Sequence, residues 1–360
     1  MNPYMPYGAV STKILAKNSR IFDKAKLEKL MECNTVEQVA EYLKDKYGLG
    51  RLVDEARLQY LHRDKLEMIL QRYKVREVED ILHYLSGPYK EFASVYLMES
   101  EIHDLVLILR RIAKGEEPEE LGDYLVHSEK MSGLPYEKLA ASRTIPQFVE
   151  SLRGTPYYNV LKTVTDYDVA KREFHIEMKL YQLYYGTFLK KAEKLDEADN
   201  KAAREIIGSK IDFLNVQWIY RAKKYYEVSP EQMLIYCLPG GVKLGSGRLK
   251  KLCYTKSVEE IKQLSAQYLK FDIFTSDNGF IIEKNIENYM FEYLKKNKFR
   301  GNIGFVLSFF YMLGCAIREF TTITEGVRYR LPKDDLKEYL IHTQVEGGGA
   351  RNGNPENGVR

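Results

Sequence analysis

Three stretches of this chain share one pattern, and their reading decides the fold. Leu27-Glu-Lys-Leu30 is followed after four residues by Thr35-Val-Glu-Gln38-Val39. Tyr136-Glu-Lys-Leu139 is followed after four by Thr144-Ile-Pro-Gln147-Phe148, and Leu249-Lys-Lys-Leu252 after four by Ser257-Val-Glu-Glu260-Ile261. Leu30, Leu139 and Leu252 are equivalent, so the periods are 109 and 113 residues. Each stretch holds a Ser/Thr-x-x-Glu/Gln capping box. The hydroxyl accepts from the backbone N–H three residues on, and the Glu or Gln side chain reaches back to the cap residue's own N–H. Helices therefore start at residues 36, 145 and 258, with Val36 and Val39 docking on the helix before. Periods near 110 exclude a solenoid of 30- to 45-residue units.

Outward from these stretches the apolar residues keep helical spacing. Leu66, Ile69, Leu70 and Tyr73 lead into Val78, Ile81, Leu82 and Leu85. Phe174, Met178, Tyr181, Tyr185 and Phe188 form a second stripe, and Ile207, Ile211, Leu214 and Trp218 a third. Strand signals are confined to Phe271–Thr275 and Phe280–Ile282 around Asp277-Asn-Gly279, which fit a hairpin or a turn between helices equally well. The expected class is all-α, in three similar helical-bundle repeats of about 110 residues. Composition places the boundaries at 1–122, 123–238 and 239–345: Glu116–Glu120 with Gly122 breaks the first junction, and Pro239-Gly-Gly241 with Gly245-Ser-Gly247 the second. Residues 346–360 have no apolar face and read as a disordered tail.

Ile303–Ile317 carries no charge. At 1.5 Å per residue it spans roughly 22 Å, short of a bilayer's ~30 Å core, so it reads as a central buried helix. Asp104–Arg110, Asn215–Arg221 and, more loosely, Glu319–Glu325 repeat within helices, the third having lost the arginine. Such repeated polar positions read first as internal contacts that hold each unit together.

Catalytic signals are missing. With 55 basic and 51 acidic residues, the net charge of +4 argues against a dedicated nucleic-acid binder. Gly240 to Gly247 lacks the lysine of a P-loop, so no nucleotide site is expected. The histidines at 62, 83, 103, 127, 175 and 342 form no i, i+3 or i, i+4 pair, and the cysteines at 33, 237, 253 and 315 form no Cys-x-x-Cys. The cysteines read as free buried thiols. No metal, cofactor or catalytic residue is expected. The 28 tyrosines suit both helix packing and interfaces.

Taken with Tyr7-Gly-Ala-Val-Ser-Thr-Lys-Ile-Leu-Ala-Lys17 and Ile317-Arg-Glu319, the three repeats resemble the C subunit of the bacterial and archaeal V/A-type ATPases, related to the eukaryotic d subunit, across residues 4 to 342. That resemblance implies a funnel about a pseudo-threefold axis, a non-catalytic central-stalk component on the cytoplasmic face of a membrane. One end receives the D–F central shaft and the other rests on the rotor ring of membrane proteolipid subunits, transmitting torque between ATP chemistry and proton or sodium transport. Arg110 and Arg221 are the expected partner-facing residues. A triplicated helical scaffold unrelated to an ATPase accounts for the repeats equally well.

Overall fold

The structure, a computed structural model, describes residues 7–50, 63–116, 121–171, 173–226, 228–297, 299 and 301–341. The first third runs α1 (Gly8–Ile21), α2 (Lys24–Leu30), α3 (Val36–Tyr47), α4 (Arg63–Leu82), α5 (Gly87–Ser94) and α6 (Met98–Lys114). Next come α7 (Tyr136–Ala141), α8 (Ile145–Ser151), α9 (Pro156–Leu161), α10 (Asp166–Lys171), α11 (Glu173–Ala192) and α12 (Glu197–Tyr225). The chain continues through α13 (Pro230–Tyr236), α14 (Ser246–Cys253), α15 (Val258–Leu269), α16 (Gly279–Asn297), α17 (Ile303–Arg328) and α18 (Lys333–Glu338). No β-strand occurs among the described residues: 271–278 is an irregular connection between α15 and α16, and 279–282 form the first turn of α16. The expected tail, residues 346–360, lies outside the described residues, as do 117–120 of the first junction.

The three capped helices begin at Val36, Ile145 and Val258, and each cap hydroxyl accepts from the amide three residues on, at 3.2 to 3.4 Å. The return bond differs from expectation. Gln38, Gln147 and Glu260 accept from Asn34, Arg143 and Lys256, the residue before each cap. Each cap is extended, with φ near −135°, which brings the preceding amide within reach of the returning side chain.

Each capped helix packs on a long helix from the preceding third: α8 on α6, and α15 on α12. For the first third that partner is α17, the last long helix, so the chain closes on itself. α17 is the core helix: Val306, Phe310, Leu313 and Ile323 are wholly buried, and it packs on α1, α4, α12 and α16. At the closure, the buried Asp199 carboxylate accepts from the Tyr7 hydroxyl and from the Ile303 amide, both at 2.6 Å. One side chain thereby ties together the start of α1, the first turn of α12 and the start of α17.

The repeated polar positions explain how each long helix holds the chain that follows it. Asp104 accepts from the amides of Val126 and His127 at 2.9 to 3.1 Å. Asn215 pairs in both directions with Leu238, donating to its carbonyl at 2.9 Å and accepting from its amide at 2.7 Å. Glu319 accepts from the Ile341 amide at 2.6 Å. Asp104 and Asn215 are wholly buried and Glu319 nearly so. Each pin satisfies backbone groups that would otherwise be buried without partners. The glycine run of the second junction is similarly held: Asp212 accepts from the amides of Lys243 and Leu244 at 2.6 and 2.9 Å. A Cβ on Gly208 would come within 2.7 Å of the Gly240 carbonyl, so this linker lies tight against α12.

Candidate functional site

Arg110 and Arg221 end the repeated segments of α6 and α12; Arg221 lines a groove, and Arg110 reaches its edge through Glu177. α11 supplies Phe174, Met178 and Tyr181 to its wall and α12 supplies Leu214 and Trp218, around a cavity of about 260 Å³. Glu177, Gln217 and Arg221 form its polar edge. Arg110 donates to Glu177 at 3.1 Å, with both side chains well exposed, and Gln217 donates to Glu283 of α16 at 3.1 Å. The third copy contributes no arginine here, as Glu325 at that register already suggested.

A second set of groups escaped the sequence reading. Lys74 of α4, Glu99 of α6, Lys210 of α12, Glu287 of α16 and Arg318 of α17 meet where the long helices of all three thirds converge. Lys74 pairs with Glu99 at 2.9 Å, and Arg318 pairs with Glu287. Burial would raise the Glu99 carboxyl, but Lys74, Lys210 and Arg318 together hold it down at about 2. Burial lifts the Glu287 carboxyl, and the Arg318 cation works against that rise. Desolvation opposes the charge on Arg318, yet Cys315, Glu287, Tyr311 and Glu99 keep its pKa above the ordinary arginine value.

These charges are neither core nor open surface. Arg318 projects from the buried α17 with 51% of its side chain exposed, and Glu99 and Lys74 retain 30% and 13%. Aromatic rings floor the cluster: the Lys74 ammonium lies 5.7 Å from the Tyr96 ring centre, and that of Lys210 equally far from Tyr311. Tyr96 donates to the Phe310 carbonyl at 2.8 Å. Gly314 makes room for it, since a Cβ there would sit 3.3 Å from the Tyr96 oxygen. Burial pushes the Tyr96, Tyr185 and Tyr311 hydroxyls well above their usual range, so they stay neutral donors.

One signal could have found this cluster. In the register that equates Asp104, Asn215 and Glu319, five residues earlier stand Glu99, Lys210 and Gly314. The repeat thus places an acid, a base and a gap at equivalent points of three helices. Arg318 lies within the quoted Ile317-Arg-Glu319, but helical periodicity alone does not say which neighbours it meets.

Among the described residues no three His, Cys, Asp or Glu side chains gather as a metal set. The amides of Lys243 and Leu244, which a phosphate-binding glycine loop would present, are already donated to Asp212. His127, with Nδ1 at 2.8 Å from Asp104, stacks on Tyr136 and braces the first pin.

Comparison with known proteins places this architecture. A family profile described as ATP synthase (C/AC39) subunit matches residues 10–339. The C subunit of the A-type ATP synthase of Methanocaldococcus jannaschii is 23% identical over 352 residues, covering 93% of this chain and 86% of its own. That of Archaeoglobus fulgidus is 23% identical over 340 residues, covering 93% and 95%. That of Methanosarcina mazei is 24% identical over 262 residues, covering 71% and 70%. The helical repeats, the buried core helix and this match along nearly the whole length agree: the chain belongs to the ATP synthase (C/AC39) subunit family, the group of the C and d subunits of V/A-type ATPases.

Proposed function

We propose that this chain is the non-catalytic central-stalk subunit of a V/A-type ATPase. In this reading its three units form a funnel about a pseudo-threefold axis, with bounds near residues 122 and 238. The funnel receives the D–F shaft and rests on the proteolipid ring, at the cytoplasmic face of the membrane. Torque passing through it couples ATP hydrolysis or synthesis to ion transport.

The observation that carries the reading is the central cluster. Five charged side chains from five long helices, drawn from all three thirds, stay in contact with water while being walled in by helices. Four of them form two ion pairs, Lys74 with Glu99 and Arg318 with Glu287, and Lys210 adds a fifth charge beside them, a pattern that suits gripping a partner. Arg221 on the groove, and Arg110 paired with Glu177 at its edge, add two further cations on the same long helices α12 and α6. The names borne by the relatives support the assignment to an ATP synthase assembly.

The test is co-elution of the purified chain with a purified D–F pair on a sizing column, at low and high salt. A stable complex that weakens with salt, and weakens further in Arg110→Glu or Arg221→Glu, is the expected result. A folded chain that forms no complex at either salt would overturn the shaft-socket reading. An unchanged complex in both charge-reversed variants would remove the two arginines from it.

A further inference from the structure

Cys237 and Cys253 lie 16 positions apart with no motif linking them, yet the fold places their sulfurs 3.9 Å apart. Cys237 closes α13 and Cys253 is the last residue of α14, two helices packed against each other. Both thiols are buried in the apolar cluster formed with Trp218, Met233, Leu249, Leu252 and Ile261. A buried cysteine ordinarily serves as a small apolar filler. Two in sulfur contact, with no third metal-ligating group among the described residues, are arranged as a dithiol. We propose that Cys237 and Cys253 are an oxidation site that closes reversibly to a disulfide under hydrogen peroxide.

A disulfide bond is about 2.05 Å long, so the sulfurs must approach by roughly 1.9 Å, within reach of side-chain rotation and a small shift of the last turn of α14. The contact with Cys237 favours the Cys253 thiolate, while that contact and burial push the Cys237 thiol up. Of the two, Cys237 keeps 9% of its surface exposed and Cys253 none, so peroxide reaches the pair from the Cys237 side. The Cys253 thiolate attacks one peroxide oxygen; an S–O bond forms, the O–O bond breaks, and the leaving hydroxide takes a proton to become water. The Cys237 sulfur then attacks the sulfenic sulfur and gives up its proton. The S–S bond forms, the S–O bond breaks, and a second water leaves. Two sulfurs are each oxidised by one electron, and the two peroxide oxygens are reduced by the same number.

The bond would enclose the glycine run of the second junction in a covalent loop and staple α13 to α14. Cys33 and Cys315 have no such partner: Cys33 is half-buried near the end of α2, and Cys315 lies in α17.

The full-length chain is treated with dilute hydrogen peroxide under native conditions, alkylated, digested with trypsin and analysed by mass spectrometry. Trypsin separates the two cysteines into peptides 225–243 and 252–256. The expected result is one linked pair, 2 Da lighter than the two free peptides, restored by dithiothreitol, with a melting temperature several degrees above that of the reduced chain. Cys253→Ser and Cys253→Ala, each checked for an unchanged melting curve, should lose the link and the peroxide-induced rise together. Sulfinic or sulfonic acid at either cysteine without the link would overturn the proposal. So would a link that appears only in urea, or one that joins Cys33 or Cys315 as readily.

Discussion

The backbone pins share their three long helices with three members of the central cluster, Glu99, Lys210 and Arg318, but the two sets behave in opposite ways. Asp104, Asn215 and Glu319 stand at one repeated register, are buried, and each captures backbone 22 or 23 residues downstream. Five residues earlier on the same helices stand Glu99, Lys210 and Gly314, where the repeat abandons its own chemistry. The pins solve one structural problem three times, since a chain crossing a buried helix must satisfy its amides there. The cluster is unequal in its charges. At this register the three long helices carry an acid, a base and no side chain, so the centre they share is asymmetric.

If that contrast is right, damage at a pin falls on stability. Asp104→Ala strands the Val126 and His127 amides, with an expected cost of about 3 kcal/mol, readable in urea denaturation. A loss below about 1 kcal/mol would show that water replaces the carboxylate and that the pin is dispensable.

The tight linker should come next. A Cβ on Gly241 would lie 2.1 Å from an Asp212 oxygen, which is engaged with the Leu244 amide. Gly241→Ala is expected to cost about 2 kcal/mol, whereas Gly247→Ala, with open space around it, should be nearly silent in the same melt. The caps follow at about 1 kcal/mol each for Thr35→Ala, Thr144→Ala and Ser257→Ala. Near-equal losses would confirm that the three boxes perform one task.

An effect on stability no larger than a cap's belongs to the cluster. Glu99→Gln at neutral pH should cost about 1 kcal/mol, because contact with water screens the pair with Lys74 and offsets much of what the lowered carboxyl would otherwise contribute. Its signature is in acid. The folded carboxyl, at about 2, lies below the unfolded value of about 4.3, so its contribution is complete above the unfolded value and is lost as pH falls toward 2. Denaturation midpoints measured between pH 5 and 2 should fall less steeply in Glu99→Gln than in the parent chain. Parallel curves would mean that the three cations do not act on Glu99.

Much of this fold could be read in the residues. The capping boxes gave the helix starts to the residue, because a hydroxyl and a Gln or Glu side chain three residues apart are a local device that needs no tertiary context. Ile303–Ile317 announced the core helix but not its length: the helix runs on to Arg328, 26 residues in all, so burial against its neighbours rather than a short span makes it the core. The Asp104, Asn215 and Glu319 register foretold internal contacts, and each proved to be one. The return bond of the boxes was misplaced by one residue, because it depends on cap dihedrals that sequence spacing does not encode. The central cluster stayed hidden for a different reason. Lys74, Glu99, Lys210, Glu287 and Arg318 are ordinary surface residue types in a sequence rich in them, and only the convergence of five helices distinguishes them from solvated charges. The contact between Cys237 and Cys253 was equally invisible, since it depends on how α13 packs on α14.

A single comparison bears on the grip itself: the affinity of the D–F shaft pair for the parent chain and for Lys210→Gln, alongside their melting curves. Lys210→Gln removes a cluster charge without setting like charges together. Binding at least tenfold weaker, with an essentially unchanged melting curve, is expected. A shaft pair that binds both chains within twofold, while both remain folded, would contradict the claim that the asymmetric centre is where this protein grips its partner.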